Sequence, residues 1–105
     1  MFDVLIIGAG PAGMTAAIYA ARGNLKVGII EQGAPGGAMV NTSVIENYPG
    51  FKKIEGTSLA LEMFEQVNDL GVEYFGYSVI DIEKNEDIFN VSLERSLENF
   101  NTFLI

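Results

Sequence analysis

The stretch Asp3–Glu31, DVLIIGAGPAGMTAAIYAARGNLKVGIIE, decides how the rest of the chain is read. Val4, Leu5, Ile6 and Ile7 form an unbroken apolar run, too short for a helix and rich in β-branched residues, which predicts a strand buried on both faces. It stops at glycine. Gly8, Gly10 and Gly13 give G-x-G-x-x-G, an alanine-rich helix is predicted over Ala12–Arg22 and closed by Gly23 and Asn24, and Lys26–Ile30 reads as a second apolar strand ending in Glu31. The whole is one βαβ unit of 29 residues.

The three glycines answer different physical demands. Gly8 lets the chain turn sharply out of the strand, Gly10 offers no Cβ to hold an anion off the backbone, and Gly13 lets the helix lie close to the sheet. Free N–H groups at the helix N-terminus, carrying roughly +0.5 of an elementary charge, would face that anion. Pro11 costs little at this position because its missing N–H is one of those left unpaired in any helix. Glu31 lies 18 residues beyond Gly13, at the end of the second strand, where its carboxylate is placed to accept from both ribose hydroxyls of an adenosine and to repel a 2′-phosphate. A glycine-rich turn can also be purely structural. Here it follows a strand, opens a helix and is answered by an acid at the right distance, which is the context a dinucleotide site needs.

Composition narrows the classes further. The 105 residues suit one domain or part of one, and with 49% hydrophobic residues and 12 glycines the apolar share exceeds that of an ordinary free-standing domain, so some surface is expected to meet a partner. There are 14 acidic against 6 basic residues, a net charge of −8, and no basic cluster longer than Lys52-Lys53. Nucleic acid and anionic membrane surfaces are therefore poor partners, and an anionic ligand would be held by backbone amides instead of a lysine clamp. The chain has no cysteine and no histidine, so it offers no disulfide, thiolate metal site, redox dithiol or imidazole, and no metal site is expected. Met1-Phe2-Asp3 has no basic leader and the following apolar run breaks at Gly8, which predicts neither a signal peptide nor a membrane span and makes the cytosol the default location.

Downstream, Gln32–Ala38 is dense in glycine and is predicted to be a loop without regular structure, either a flexible connector or a backbone wrapped around an extended ligand; its place at the carboxyl end of the second strand favours the ligand. Thr42 and Ser43 offer hydroxyls, and in the turn Glu46–Phe51, ENYPGF, Asn47 can present a donor and an acceptor to a heterocycle edge. A helix is predicted from Gly56 and Thr57 or Ser58 to Leu70, stopped by Gly71, with Ala60, Met63, Phe64, Val67 and Leu70 as its core stripe. A short strand over Val72–Phe75 follows. From Ser78 the period becomes two: Ile80 and Ile82 alternate with Asp81 and Glu83, Lys84–Asp87 reads as a turn, and Phe89, Val91 and Leu93 alternate with Asn90 and Ser92, which predicts an antiparallel hairpin with one wet face. Phe100–Ile105 reads as a further strand, apolar to its last residue, so it is expected either to be covered or to belong to a longer chain. The fold class is thus α/β, a Rossmann-like dinucleotide-binding fold with a parallel sheet and a C-terminal antiparallel hairpin or three-stranded meander.

The sequence GAGPAG at Gly8–Gly13, the segment TAAIYAARGNLK, Glu31, the Gly36-Gly37 pair and ENYPGF nine residues later together resemble the N-terminal FAD segment of bacterial thioredoxin reductases and their low-molecular-weight relatives. Those relatives include the thioredoxin-reductase-like ferredoxin–NADP reductases and the flavoprotein subunit of alkyl hydroperoxide reductase. The resemblance implies a pyridine nucleotide-disulfide oxidoreductase in which electrons pass from NADPH through FAD to a C-x-x-C dithiol and on to a thioredoxin-like or ferredoxin-like protein, in a possible homodimer. It assigns Gly8, Ala9, Gly10, Pro11 and Ala12, with Gly13, to the pyrophosphate and Glu31 to the ribose. Gly37, Ala38 and Thr42 would lie along the ribityl and flavin, Asn47 near the flavin, and the Val79 backbone at the adenine, with Gly36 also counted among the cofactor-binding residues. No residue of the chain is expected to be catalytic. Residues 1–105 would be part of an FAD-binding domain, lacking the NADPH domain and the C-terminal FAD segment, and by themselves catalytically incomplete. Ala38 departs from the glutamine usual in the family, which would remove one polar contact to the cofactor. The alternative is a non-catalytic dinucleotide (FAD or NAD) binding module, or a subunit completed by a second polypeptide.

Overall fold

The computed structural model describes residues 1–94 and 99–105. Its frame is a six-stranded sheet, and the opening βαβ unit forms as its sequence dictates: β1 over Phe2–Ile7, helix α1 over Pro11–Arg22 and β2 over Val27–Ile30, with β1 and β2 parallel from Val4↔Val27 to Ile7↔Ile30. β2 is buried along its whole length, whereas Ile7, at the end of β1, is 43% exposed, so burial on both faces fails at the strand's last residue. The left-handed residue that ends α1 is Asn24 at φ 65°, not Gly23 at φ −78°. Asn24 N–H bonds Ala21 O at 3.0 Å and Leu25 N–H reaches Ala20 O at 3.3 Å, which satisfies the last carbonyls of the helix.

The glycine-rich connection is more regular than expected. After Gly36 the chain forms a 3-10 helix over Gly37–Asn41, because glycines at φ 120° and 58° let the backbone reverse into it. A two-stranded antiparallel ribbon, β3 over Val44–Ile45 and β4 over Ile54–Glu55, brackets the ENYPGF turn. Helix α2 runs over Gly56–Asp69 and Gly71 follows at φ 80°. It buries Leu59, Ala60, Met63 and Val67; Phe64 is half-buried, Leu70 is 37% exposed, and Leu59 belongs to the stripe although the sequence pattern omitted it. β5, Glu73–Phe75, pairs parallel to β2 on its far side.

The last three strands, β6 over Val79–Asn85, β7 over Ile88–Leu93 and β8 over Asn99–Leu104, form the expected meander, and it is continuous with the parallel strands in the order β5-β2-β1-β8-β7-β6. β8 lies parallel to β1 and antiparallel to β7, so the apolar terminal strand has a neighbour on each side and is no free edge. The hairpin is tighter than the four-residue turn expected: Lys84 and Asn85 stay in β6, and only Glu86, at φ 56°, and Asp87 make the reversal.

Two cores sit on opposite faces of the sheet, as the alternation in β2 requires. Val27 and Ile29 face α1 and α2, packing with Met14, Ala17, Met63 and Val67. Ile30 faces the other way with Phe2, Leu5, Val91 and Leu93. Phe2, Phe75 and Phe100 cluster there with ring centroids 4.5 to 5.9 Å apart, and Gly28 makes room for them, since a Cβ on it would lie 2.9 Å from the Phe2 ring. The alternation expected for β6 fails in burial: Ile80 is 65% and Ile82 42% exposed on this edge strand, where a register irregularity lies between Val79 and Asp81.

Candidate functional site

β1 delivers the chain to Gly8, whose φ of 106° turns it out of the sheet while its N–H still donates to Ile30 O at 2.7 Å. Gly10 caps α1 in an extended conformation and its carbonyl accepts from Met14 N–H at 2.9 Å, with Pro11 in the first turn. The amides of Ala12 and Gly13 therefore precede the first helical bond, and among the described residues no side chain caps this end. A Cβ placed on Gly10 would meet nothing within 4 Å, so its missing side chain leaves open space in front of those donors. Donors, dipole and space together suit an anion of the phosphate type.

Gly13 differs. A Cβ there would collide with the Gly8 carbonyl oxygen and lie 3.3 Å from Ile6 Cγ2, so this glycine sets how closely α1 approaches β1.

The second glycine pair is packed against the first. Gly36 N–H donates to Ala9 O at 2.7 Å, and a Cβ on Gly37 would lie 3.2 Å from Gly10 Cα. On the other side a Cβ on Gly36 would be 2.6 Å from Ala60 Cβ of α2. Glu31 completes the junction: Oε1 accepts from Ala9 N–H and Oε2 from Gly33 N–H, each at 2.8 Å. Nearby, the Tyr74 hydroxyl donates to Gly33 O at 3.4 Å; burial pushes its phenol up from the ordinary value of 10.0, and the Glu31 carboxylate adds to the shift.

Three expected residues, Gly8, Glu31 and Val79, line one cleft of about 400 Å³. Ile7, Gln32, Tyr77 and Ser78 share that cleft although the sequence reading passed them over; the position of Ile7 and Gln32 beside Gly8 and Glu31 was the available signal. Ser78 Oγ donates to Gln32 Oε1 at 3.1 Å across its mouth. Pro11 and Ala12 line a more open cleft of about 640 Å³ with Thr15, Tyr19 and Tyr48, so the ENYPGF turn reaches the N-terminus of α1 through its tyrosine. Asn47 is exposed in a shallow cleft of its own turn. Thr42 lies in another beside Val44 and Glu55, its hydroxyl donating to the carbonyl of the exposed Ala38 at 3.0 Å. Among the described residues no group of three or more acidic side chains is arranged to hold a metal, and no helix is long and apolar enough to cross a membrane.

Residues 2–102 match the family model for pyridine nucleotide-disulphide oxidoreductases, nearly the whole chain. The chain belongs to that family. Within this oxidoreductase family it is similar to the thioredoxin reductase of Mycoplasma pneumoniae, 46% identical over 94 residues that make up 90% of this chain and 30% of the relative. It is similar also to the thioredoxin reductase of Bacillus subtilis, 57% identical over 74 residues, 70% of this chain and 23% of that one. The solved thioredoxin reductase of Streptococcus pyogenes superposes with a TM-score of 0.93 at 50% identity, over 99% of this chain and 34% of that structure. The chain thus spans about a third or less of the length of these oxidoreductases. Membership makes FAD and NADPH the cofactors to test against the site.

Proposed function

We propose that this chain forms an FAD-binding part of a thioredoxin reductase-like flavoprotein. The observation that carries this reading is the open space at Gly10 in front of uncapped α1 amides, in a chain of this family. The pyrophosphate would lie across Gly8–Gly13, held by the Ala12 and Gly13 amides, with Ala9 fixed behind it. The cleft shared by Gly8, Glu31 and Val79 would take the adenosine, its ribose on Glu31 and its adenine along the Val79 backbone. Gly36, Gly37 and Ala38 would carry the chain along the ribityl and flavin, with Thr42 and Asn47 at the flavin end. The bound isoalloxazine would supply hydride acceptance and electron transfer; these residues bind and orient it.

In the family reaction the reductant is NADPH and the acceptor a thioredoxin-like protein, reached through a dithiol. With no cysteine and no histidine among its 105 residues, this chain contributes cofactor binding and neither the dithiol nor an imidazole proton carrier. That composition also favours a second reading, a dinucleotide-binding module or subunit that works with another polypeptide and takes FAD or NAD. Glu31 does not separate the two, because both cofactors carry the same adenosine ribose. Calorimetric titration of the purified protein with FAD and with NAD separates them: the first reading expects FAD to bind and NAD to bind weakly or not at all. Preferred binding of NAD would overturn it.

A further inference from the structure

We propose that Glu31 is a positioning residue, which presets the phosphate-binding turn by holding the Ala9 peptide before any ligand arrives. The inference deepens the dinucleotide reading and rests on it. The bond from Gly33 N–H to Glu31 Oε2 is local, spanning two residues of the loop after β2. The bond from Ala9 N–H to Oε1 is of another kind, because it spans 22 residues and ties the turn after β1 to the end of β2. Ala9 is fully buried and its peptide groups are held on both sides, the N–H by Glu31 and the C=O by Gly36 N–H at 2.7 Å.

Gly33, Glu31, Ala9 and Gly36 therefore form one hydrogen-bonded chain joining the loop after β2 to the turn that opens α1. Fixing Ala9 fixes the path of Gly10 and hence the direction in which the following amides point. An ionised carboxylate accepts at about four lone-pair sites, and the two backbone bonds use two of them. Among the described residues no other group bonds the remaining two, which suits them to the vicinal hydroxyls of a ribose, so one side chain both presets the turn and receives the sugar. A turn held in place beforehand does not have to be ordered when the ligand binds.

The test begins in the ligand-free wild-type protein, by NMR scalar coupling across the hydrogen bond between the Ala9 amide nitrogen and the Glu31 carboxyl carbon. Detection is expected; no coupling, with Ala9 exchanging its amide proton as fast as an exposed loop, would overturn the proposal. In Glu31→Gln one acceptor oxygen becomes a donor that must face a backbone N–H, so the Ala9 and Gly33 amide resonances should shift while those of Leu5 and Ile29 keep their wild-type exchange. Binding of ADP and 2′,3′-dideoxy-ADP then isolates the turn from the sugar. Glu31→Gln should weaken the dideoxy nucleotide about fivefold and ADP by more. An unchanged or tightened affinity for dideoxy-ADP, with ADP weakened, would leave Glu31 a ribose ligand only. Failure of the wild-type protein to bind either nucleotide would count against the dinucleotide reading, and the coupling in the ligand-free protein would still decide whether the carboxylate braces Ala9.

Discussion

Strands β2 and β6 each carry a valine and two isoleucines, and these end up in different surroundings. In β2 every residue is buried, Val27 and Ile29 against the helices and Ile30 against the phenylalanine cluster; in β6 every residue after Val79 is exposed, including Ile80 and Ile82. β2 has a strand on each side, with the helices over one face and side chains of neighbouring strands, Phe2 and Phe75 among them, closing over the other, whereas β6 has one neighbour, β7. Alternation tells which side chains share a face, and burial depends on whether another part of the molecule covers that face. The candidate site lies beside the buried strand, after β1 and β2, where both flanking glycine stretches are locked to one another through Ala9.

The sharpest way to break this contrast is at Gly13. A methyl group there would meet the Gly8 carbonyl oxygen, and both partners belong to backbone that cannot rotate away. Gly13→Ala is expected to destabilise by more than the ~3 kcal/mol of ordinary overpacking, read as a large fall in denaturant midpoint. A stable Gly13→Ala variant would mean that α1 does not lean on β1 as closely as the structure has it.

A pair of strand substitutions sharpens the comparison further. Ile29→Ala removes a fully buried side chain and should cost about 2–4 kcal/mol, while Ile80→Ala, on the exposed edge, should change stability by about 0.5 kcal/mol or less. Equal losses in chemical denaturation would show that β6 is covered in solution. The smallest effect is expected at Tyr74. Its pKa is raised in the folded state, so the folded form holds its proton longer, and stability present below the ordinary value of 10.0 is lost as pH rises through the folded value. Tyr74→Phe should flatten that alkaline fall; an identical pH profile for the variant would remove Tyr74 as its cause.

Much of the frame was legible because its signals are local. The apolar runs at Val4–Ile7 and Lys26–Ile30, the glycines between them and the stripe of α2 act within one or two turns of chain, so spacing alone places β1, α1, β2 and α2. What the sequence hid is set by long-range contact. Nothing near Phe100–Ile105 announces pairing with β1, nothing near Ile80 announces an uncovered face, and Gly28 looks like an interruption until the Phe2 ring lies over it. At the site, the spacing put Glu31 beside the first glycine turn, but its bonds to Ala9 and Gly33 depend on where the two strands end relative to one another. The same holds for Gly36 and Gly37: their need for left-handed backbone is a property of glycine, while their contacts with Ala60 and Gly10 come from the fold.

Gly10 and Gly13 stand three residues apart in one motif, and the structure gives them opposite work. Gly13 is closed in by protein and Gly10 faces open space. The most direct test is a paired measurement on wild type and Gly10→Ala: thermal unfolding of each without ligand, then FAD titration of each. Gly10→Ala should unfold within a few degrees of wild type and lose FAD affinity by at least about a hundredfold, because the added methyl takes the space left for the pyrophosphate. Equal FAD affinity in the two proteins, with the fold intact in both, would contradict the placement of the phosphates at this turn.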